Sequence, residues 1–409
     1  MAYDTATNTT QNALAPTLAG SFHFPTRVRF GRSSRAALPE VLAARRCLVL
    51  TSRGGRRRVE ADPALGRALG EHDTVWLDRI EANPTIASLD ELVAELRTDR
   101  WHDETIVAIG GGSVIDAAKA IAAGVAAGGA GLCAIARSPA VLDERELMPI
   151  VALPTTAGSG SEATPMAVVW HRTPGGGPGG GDGPAKVTLA HPRLYPAHAI
   201  VDAELTDTLS PHQTLATGLD AFNQAAESLW NRNANALTLP LAMRALALAW
   251  RALPELQRDP GDRVARDAMA EASLLAGAAL AQTRTVVCHA LSYPLTDRYG
   301  VTHGIACAFT MAPVVQLMLA GDDGRLGALA AVLLGPGVGA GALPDAFAAF
   351  LARLDVGEQV REAVGSLEAL LALVPEVELP ERGGSGLIDI DVRARTRIFE
   401  AAWGDGSGA

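Results

Sequence analysis

The sequence predicts an α/β domain built on a mostly parallel sheet, followed by an all-helical domain. Up to about residue 207, short apolar runs of strand type alternate with helical patterns. Beyond that point the strand pattern fades and long segments with a helical period take its place. The 409 residues, 48% of them hydrophobic, are enough for two hydrophobic cores.

Five apolar runs closed by turn residues are predicted strands, and the segments between them carry the helical period. Strands that alternate with helices form a parallel sheet covered on both faces. The predicted strands are 46–52, 74–80, 104–113, 150–156 and 198–205, and predicted helices include 88–99 and 114–126.

The second half is rich in strong helix formers at 240–259, 266–284 and 343–354. We place the domains at 22–207 and 208–400, with a functional cleft between them. Residues 1–21 and 401–409 are predicted tails, and the Gly/Pro-rich stretch 174–184 a mobile loop.

The net charge of -10 argues against nucleic acid as the main partner but permits a small anionic substrate. No apolar stretch is long enough to cross a bilayer, and the N-terminus lacks the features of a signal peptide. Four widely spaced cysteines form no CxxC pair, which is typical of reduced, buried thiols in a cytoplasmic protein.

Three consecutive glycines, Gly110, Gly111 and Gly112, stand between a predicted strand and a predicted helix. Backbone N–H groups can approach a phosphate closely there, at the positive end of the helix. Ser113 and Asp116 resemble a capping box for that helix, and with the three glycines they are expected in the cofactor site. The pattern is not GxGxxG, so a purely structural turn stays open.

A second turn, 153–165, also follows a predicted strand and is rich in hydroxyl groups and glycine. Thr155, Thr156 and Ser161 in this turn suit a diphosphate or a nicotinamide carboxamide. Such turns are common, so this feature alone is a moderate indication of cofactor binding.

Four motifs occur in the order found in the iron-containing, or group III metal-dependent, alcohol dehydrogenases, which the sequence resembles. They are "GGGSVIDAAKA", "PTTAGSGSEATP", "GLDAFNQAAES" and "HALSYPLTDRYGVTHG", with "EANPT" and "HPRLYPAHAIVDAELT" as further matches. The resemblance implies a dinucleotide-binding α/β domain, a helical domain and a divalent metal in the cleft. Within the family, the sequence is most similar to the hydroxyethylphosphonate dehydrogenase, or phosphonoacetaldehyde reductase, branch, which implies a place in phosphonate biosynthesis.

The family pattern of metal ligands is Asp, then His four residues later, then two His fourteen residues apart. Asp220, His289 and His303 match this pattern, and Gln224 replaces the second ligand. Asp220 and Gln224 share one face of a helix that we expect to begin near residue 220.

One straight helix would separate His289 from His303 by about 21 Å. Pro294 and Gly300 lie between them and are expected to break the helix, so that the two imidazoles can meet.

The amide oxygen of Gln224 is a poorer ligand than imidazole for Fe²⁺ or Zn²⁺. We expect a weakened metal site; a metal-free enzyme, in which His289 and His303 bind the substrate directly, and a structural cluster stay open. Tyr293 replaces a further family histidine, and it either passes a proton to the substrate or only packs.

Ser52 stands where relatives that use NAD often carry a carboxylate, and Arg53, Arg56, Arg57 and Arg58 follow it. Arginine can bind a 2′-phosphate, so we predict NADPH as the cofactor, with NADH as the alternative. The resemblance also places Asn83, in "EANPT", and Lys186, which matches a family lysine, near the cofactor. Arg284 stands where the similar branch often has a basic residue, so it is a candidate contact for the anionic group of the substrate.

The resemblance thus implies an aldehyde reductase in which a bound metal polarises the carbonyl and NADPH delivers hydride. Phosphonoacetaldehyde, or another short anionic aldehyde, is the predicted substrate, and a homodimer is one option for assembly. Three alternatives stay open: a metal-free reductase like maleylacetate reductase, a lyase like dehydroquinate synthase, and a nucleotide-binding protein without turnover.

Overall fold

A computed structural model describes residues 20–42, 46–97, 104–171, 185–379 and 386–404. The predicted loop 174–184, most of the N-terminal tail and residues 405–409 lie outside these ranges.

Eight strands are described, and six of them form one parallel sheet in the order β1-β8-β5-β4-β2-β3. The other two strands, β6 and β7, form an antiparallel hairpin. The strands are β1 Arg27–Phe30, β2 Cys47–Ser52, β3 Thr74–Ile80, β4 Thr105–Gly110, β5 Ile150–Pro154, β6 Met166–His171, β7 Ala185–Ala190 and β8 His198–Val201.

The central strands are apolar on both faces because helices cover both sides of the sheet. Alternate residues of β2 belong to different cores: Leu48 and Leu50 to one, Cys47 and Val49 to the other. The chain leaves β2 towards β3 and then returns to β4 on the other side of β2. The carboxyl ends of β2 and β4 therefore form the switch point where open α/β sheets bind ligands.

Six α-helices accompany the sheet and eleven follow it among the described residues. The first six are α1 Leu38–Leu42, α2 Gly55–Ala61, α3 Pro63–Gly70, α4 Ile86–Leu96, α5 Gly112–Ala126 and α6 Leu132–Arg137. The rest are α7 Pro211–Leu229, α8 Thr238–Arg258, α9 Arg263–Thr283, α10 Val287–Tyr299, α11 His303–Phe309, α12 Met311–Met318, α13 Arg325–Leu334, α14 Leu343–Arg353, α15 Val356–Val364, α16 Leu367–Leu371 and α17 Val392–Trp403.

The predicted architecture is confirmed, and all five predicted strands are present. Strand β1 and the hairpin β6–β7 were not predicted. Three strands end earlier than expected, at Gly110, Pro154 and Val201. Two more glycines follow Gly110, Pro154 is itself the last paired residue of β5, and a 3₁₀ turn begins two residues after Val201. At the other end of the chain, α17 continues to Trp403, past the expected start of the tail at 401.

The two domains share apolar contacts. One core cluster joins Ala163 and Val201 of the α/β domain to Ala270 and Leu274 of α9. Ala157, in the turn after β5, belongs to the core of the helical domain. The turn after β5 is therefore held directly against the helices that carry the candidate metal ligands.

No single helix in the described ranges is long and apolar enough to span a membrane. Two bent pairs of helices meet that test by length and composition only. The first pair is α9 and α10; the second is α11 and α12, extended to Gly321.

Candidate functional site

The glycine turn joins β4 to α5 at the switch point of the sheet. Gly111 caps α5 without a side-chain hydrogen bond, so the N-terminal N–H groups of the helix are not capped by a side chain. The backbone N–H of Thr155 donates to the carbonyl of Gly110 at 3.0 Å. The two turns that we predicted to bind the cofactor are thus in direct contact.

The predicted capping box at Ser113 is wrong, because α5 begins at Gly112 with Gly111 as its N-cap, so Ser113 lies inside the first turn. The Ser113 hydroxyl instead accepts a hydrogen bond from the backbone of Asn83 at 3.2 Å. The Asp116 carboxylate accepts from the Ser161 hydroxyl at 2.5 Å and from the backbone of Val168 at 2.9 Å. Asp116 therefore fixes the hairpin and the second turn to α5.

Lys119 lies one turn beyond Asp116 on α5 and is fully buried. Its ammonium has four oxygen neighbours within 3.2 Å: two from Ser161, one from Thr164 and the carbonyl of Met166. We call Asp116, Lys119, Ser161, Thr164 and the nearby Glu162 the Lys119 cluster.

Burial dominates the protonation of the Lys119 cluster. It lowers the pKa of Lys119 to about 8, although Asp116 and Glu162 act in the opposite direction. Burial likewise raises the pKa of Asp116, and that of Glu162 to about 7. The cluster is a buried ionic network with internal partners.

The carboxyl end of β2 borders a cavity of about 300 Å³ that Arg53 lines. Arg79, Glu81 and Ser88 line the same cavity. Asn83, between the lining residues Glu81 and Pro84, donates its backbone N–H to Ser113, so the segment that lines this cavity also contacts the start of α5.

The arginines of that run differ in their partners. Arg56 pairs with Glu60 at 2.8 Å, approaches Asp78 at 3.8 Å and lies over the ring of Trp76. Arg53 forms no ion pair with another described residue, so it is the guanidinium at this cavity that is available to a ligand.

The first two candidate metal ligands lie on α7. This helix begins at Pro211, nine residues before Asp220, so the expectation that it begins near residue 220 is wrong. Asp220 and Gln224 stand one turn apart in its interior, and the side chain of Gln224 is buried. The predicted shared face is confirmed by the helical geometry.

His289 and His303 meet as predicted, with ring centroids 5.4 Å apart. Pro294 does not break the helix, because α10 runs through it to Tyr299. Gly300 does end it, with a left-handed φ of 66°. His303 then begins α11, and a Cβ on Gly304 would lie 1.9 Å from the carbonyl oxygen of Ala216. Only glycine allows α11 to approach α7 so closely.

His289 lies between two carboxylates. Its Nδ1 is 2.7 Å from Glu227 Oε2, and its Nε2 is 3.5 Å from Asp220 Oδ1. Glu227 is fully buried and also accepts hydrogen bonds from the backbone N–H groups of Val286 and Cys288. Burial opposes a charged imidazole, but Glu227 and Asp220 outweigh it and raise the pKa of His289 to about 9.

Glu227 thus orients the imidazole so that Nε2 faces Asp220. Histidines that bind metals in proteins are usually held by such a carboxylate on the other ring nitrogen.

His303 has a different environment. Burial, together with the charge of Lys186, lowers its pKa to about 3. Its Nδ1 lies 3.4 Å from the Ser292 hydroxyl, and Cys307 Sγ lies 3.8 Å from its Nε2. The donor atoms of His289, His303 and Cys307 all lie within 4.8 Å of one another. We call Asp220, Gln224, Glu227, His289, His303 and Cys307 the His289 cluster.

Tyr293 and Lys186 border the His289 cluster. The Tyr293 ring is nearly parallel to that of His303, at a centroid distance of 6.0 Å. The Lys186 ammonium lies 4.3 Å from the centre of the Tyr293 ring. Lys186 also affects the pKa of both Asp116 and Asp220. The β7 lysine therefore lies at the boundary between the two domains.

Two oxygens of the His289 cluster fit a bound cation. Asp220 Oδ1 and Gln224 Oε1 are buried and have no hydrogen-bond partner among the described residues. A buried oxygen without a partner costs about 1 to 3 kcal/mol. Asp220 Oδ1 lies 3.5 Å from the His289 imidazole, and Gln224 follows one turn later on the same face of α7. These oxygens and the two imidazoles are a donor set that a divalent metal would satisfy.

Arg284 does not reach this cluster through any contact that the structure shows. Its guanidinium contacts the Met166 sulfur, and its charge interacts with Tyr195. Its backbone has φ 72° and ψ 165°, a conformation that few residues other than glycine adopt. Asn231 holds its carbonyl at 3.1 Å. Arg284 is thus a strained residue at the end of α9, five residues before His289.

Sequence reasoning missed Lys119, Glu227 and Cys307. Two of them follow a predicted metal ligand at helical spacing. Glu227 lies seven residues after Asp220, and Cys307 lies four residues after His303, each on the same helix face as that ligand. For Lys119 the indication was composition. The chain has 35 basic residues, of which only Lys119 and Lys186 are lysines, and both border the boundary between the domains.

The fold and the site together define an α/β domain joined to a helical domain, with a buried candidate metal site where they meet. The chain belongs to the iron-containing alcohol dehydrogenase family. The family's "Iron-containing alcohol dehydrogenase" profile matches residues 25–203, and its "Fe-containing alcohol dehydrogenase family, C-terminal" profile matches residues 214–374.

Relatives of known name support this assignment. A phosphonoacetaldehyde reductase of Streptomyces viridochromogenes is 39% identical over 57% of this chain and 56% of the relative, so the match spans little more than half of that protein. Maleylacetate reductase 2 of Cupriavidus pinatubonensis is 33% identical over 78% of this chain and 79% of the relative.

A similar solved structure is that of sulfoacetaldehyde reductase from Bifidobacterium kashiwanohense in complex with NAD⁺. It superposes with a TM-score of 0.81 at 26% identity, over 94% of this chain and 99% of that one.

Proposed function

We propose that the protein is a metal-dependent reductase that converts a short anionic aldehyde to a primary alcohol with NADPH. One observation carries the proposal: the His289 cluster, with two unpartnered oxygens, lies beside Lys186 where the helical domain meets the α/β domain. A cleft with converging polar groups at a domain boundary is the usual place for such chemistry.

Asp220, Gln224, His289 and His303 are the residues that would hold the metal. A bound divalent ion supplies Lewis acidity to a carbonyl oxygen, and a nicotinamide supplies the hydride. Glu227 keeps the His289 ring oriented towards Asp220. Tyr293, which borders His303, is placed to pass a proton to a developing alkoxide.

Lys186 accounts for the preference for an anionic substrate. Its ammonium stands beside Tyr293 and affects the pKa of His303, so an anionic group bound nearby would be stabilised. A compact ammonium can approach a phosphonate as a point charge, whereas a guanidinium needs room for its planar fork. Phosphonoacetaldehyde is the substrate that we propose, and the relative of that name supports the choice.

NADPH is the proposed cofactor because Ser52 ends β2 without a carboxylate and Arg53 borders the neighbouring cavity. The loss of a carboxylate removes repulsion of a 2′-phosphate, and a guanidinium can bind it. The glycine turn, with the uncapped N-terminus of α5, is the proposed diphosphate site. Thr155 and Thr156 border it, since Thr155 contacts Gly110. A cytoplasmic location and a homodimer complete the proposal.

An NADPH-oxidation assay over short aldehydes, with metal content measured on the same samples, tests the proposal. Phosphonoacetaldehyde is expected to give the highest kcat/KM, well above neutral aldehydes of the same length. The absence of NADPH oxidation over the whole series would overturn it.

Lys186→Met isolates the part of Lys186 in this preference. It is expected to lower kcat/KM for the anionic aldehyde about tenfold or more, and to leave the neutral aldehyde closer to its original value. Lys186→Arg is the matched control, because it keeps the charge and changes only the shape. Equal losses with both aldehydes in Lys186→Met would exclude anion recognition by this residue.

A metal-free reductase is the second candidate, and Gln224 favours it because it replaces an imidazole ligand. The match to maleylacetate reductase 2 covers more of the chain than the match to the phosphonoacetaldehyde reductase. Full activity after exhaustive chelation would select this candidate over the metal-dependent one.

A further inference from the structure

Cys307 is a buried thiol on α11, one helical turn after His303, which is the first residue of that short helix. Its sulfur lies 3.8 Å from His303 Nε2 and 3.9 Å from Nδ1. The sulfur and one nitrogen each of His289 and His303 lie within 4.8 Å of one another. Three residues of two different helices thus direct potential ligand atoms into one small volume.

These separations are close to those of ligands that share one ion. A nitrogen at about 2.1 Å and a sulfur at about 2.3 Å from a tetrahedral metal are about 3.6 Å apart. A nitrogen and an oxygen in the same geometry are about 3.4 Å apart. The corresponding distances here are 3.8 Å for Cys307 and His303, and 3.5 Å for Asp220 and His289.

The unpartnered oxygens give an independent indication of a cation at this place. Gln224 is 4% exposed, and its Oε1 has no hydrogen-bond partner in the described part of the chain. Asp220 Oδ1 likewise makes no hydrogen bond to a described residue, and it lies 3.5 Å from His289 Nε2. A thiol alone would not define a site, but here its sulfur clusters with His289 and His303, and the same His289 ring is the one beside Asp220 Oδ1. Gln224 lies on the same face of α7 as Asp220, one turn further on.

A thiolate also corrects the weakness that Gln224 introduces. The amide is neutral and binds borderline metals weakly, whereas a thiolate is charged and soft. Asp220 and a Cys307 thiolate together balance the two charges of a divalent ion. Thiolate ligands favour zinc and cobalt over harder cations.

We propose that Cys307 is a metal ligand of the His289 cluster and compensates for the glutamine at position 224. The sulfur binds as a thiolate, and the thiol proton passes to solvent as the sulfur–metal bond forms. This inference rests on the metal-dependent form of the proposed function.

Cobalt(II) substitution tests the proposal without relying on turnover. The full-length protein is stripped of metal and titrated with Co²⁺ while its absorption spectrum is recorded. Wild type is expected to develop an intense near-ultraviolet band from thiolate-to-cobalt charge transfer. Cys307→Ser and Cys307→Ala are expected to lose this band and to bind Co²⁺ at least about tenfold more weakly.

Cys288→Ala is the matched control, because Cys288 is equally buried in the same domain but its thiol is not among the clustered donor atoms. It should keep the charge-transfer band. Circular dichroism shows whether each variant is folded. The presence or absence of the charge-transfer band in wild type tests the proposal even if a variant does not fold.

The outcomes separate this inference from the proposed function. If wild type binds Co²⁺ without a thiolate band, Cys307 is not a ligand. If the same sample reduces aldehydes only with metal bound, the proposed metal-dependent function still holds. A thiolate band that persists in Cys307→Ser and disappears in Cys288→Ala would also overturn the role of Cys307. Failure of wild type to bind Co²⁺ would overturn the inference and remove the metal from the proposed function.

Discussion

Two buried polar clusters lie close to the domain boundary, and they differ in how their polar atoms are satisfied. In the Lys119 cluster the ammonium has four oxygen neighbours, and Asp116 accepts two hydrogen bonds. In the His289 cluster, Asp220 Oδ1 and Gln224 Oε1 have no hydrogen-bond partner among the described residues. Protein groups satisfy the first cluster, whereas the second has donor atoms left for a ligand.

This difference separates a structural role from a functional one. A buried ionic network with internal partners holds elements together, and removal of one member leaves the others uncompensated. A buried oxygen without a partner lowers stability, and a bound ligand can offset that cost. Changes in the Lys119 cluster should therefore alter folding, and changes in the His289 cluster should alter metal binding and turnover.

The largest expected effect is that of His289→Ala. Loss of this imidazole should lower kcat/KM for aldehyde reduction about a thousandfold, or about 4 kcal/mol of transition-state stabilisation. Cofactor affinity, measured by fluorescence titration, should change little, because the predicted cofactor contacts lie on the α/β domain. A parallel loss of cofactor affinity would show that His289 acts in cofactor binding and not only as a metal ligand. His72→Ala is the control for loss of a histidine, because His72 lies in the turn before β3, at the amino ends of the strands.

Lys119→Met should act on folding. Asp116 and Glu162 would lose the cation that opposes their burial, so the free energy of unfolding should fall by about 3 kcal/mol. Urea unfolding measures this, with Arg251→Met as an exposed control that should change stability by less than about 0.5 kcal/mol. Metal content of the folded variant should stay at the wild-type value. Metal loss without destabilisation would reverse the roles of the two clusters.

Glu162 adds a pH dependence to the stability of the Lys119 cluster. Its pKa is raised from 4.5 to about 7 in the folded protein, so the folded state holds a proton that the unfolded state releases between these values. The contribution to stability is therefore complete below about pH 4.5 and is lost as the pH rises through 7, by up to about 3 kcal/mol.

Glu162→Gln isolates this contribution, because glutamine cannot titrate. Urea unfolding across the same pH window should show a smaller decline in the free energy of unfolding than wild type shows. Identical slopes for the two proteins would mean that Glu162 keeps an ordinary pKa.

Gln224→His should produce the smallest change. An imidazole is a better ligand than an amide, so metal retention against a chelator should increase about tenfold, or about 1.4 kcal/mol. Gln224→Leu is the matched control, since it keeps a similar volume without a ligand atom and should weaken retention. Equal retention in both variants would show that position 224 does not contact the metal.

Much of the architecture follows from local sequence pattern. The five predicted strands and the helical second half depend on periodicity, which is read within single segments. The domain boundary near residue 207 stays a prediction. Strand β1 was missed because "RVRF" is short and exposed at the sheet edge. The hairpin β6–β7 was missed because β6, "MAVVWH", alternates in burial but is almost wholly apolar in sequence, so it shows no alternation of polar and apolar residues.

The parts of the candidate site that follow from the spacing of residues within one segment were predicted. The parts that depend on contacts between distant segments were missed. The meeting of His289 and His303 followed from the break at Gly300, but the weight given to Pro294 was wrong, because α10 accommodates it. The partners of Asp116 and His289 come from segments more than 40 residues away, so no local spacing could identify them. The roles of Ser52, Arg53, Asn83 and the glycine turn in cofactor binding remain predictions.

Anomalous X-ray scattering from crystals of the metal-loaded protein is the most direct test of the His289 cluster as a metal centre. We expect one strong peak within coordination distance of Asp220, His289 and His303, close to Gln224 and Cys307. A map with no anomalous peak among these residues, or with the metal bound elsewhere while aldehyde reduction is intact, would contradict the metal-dependent function.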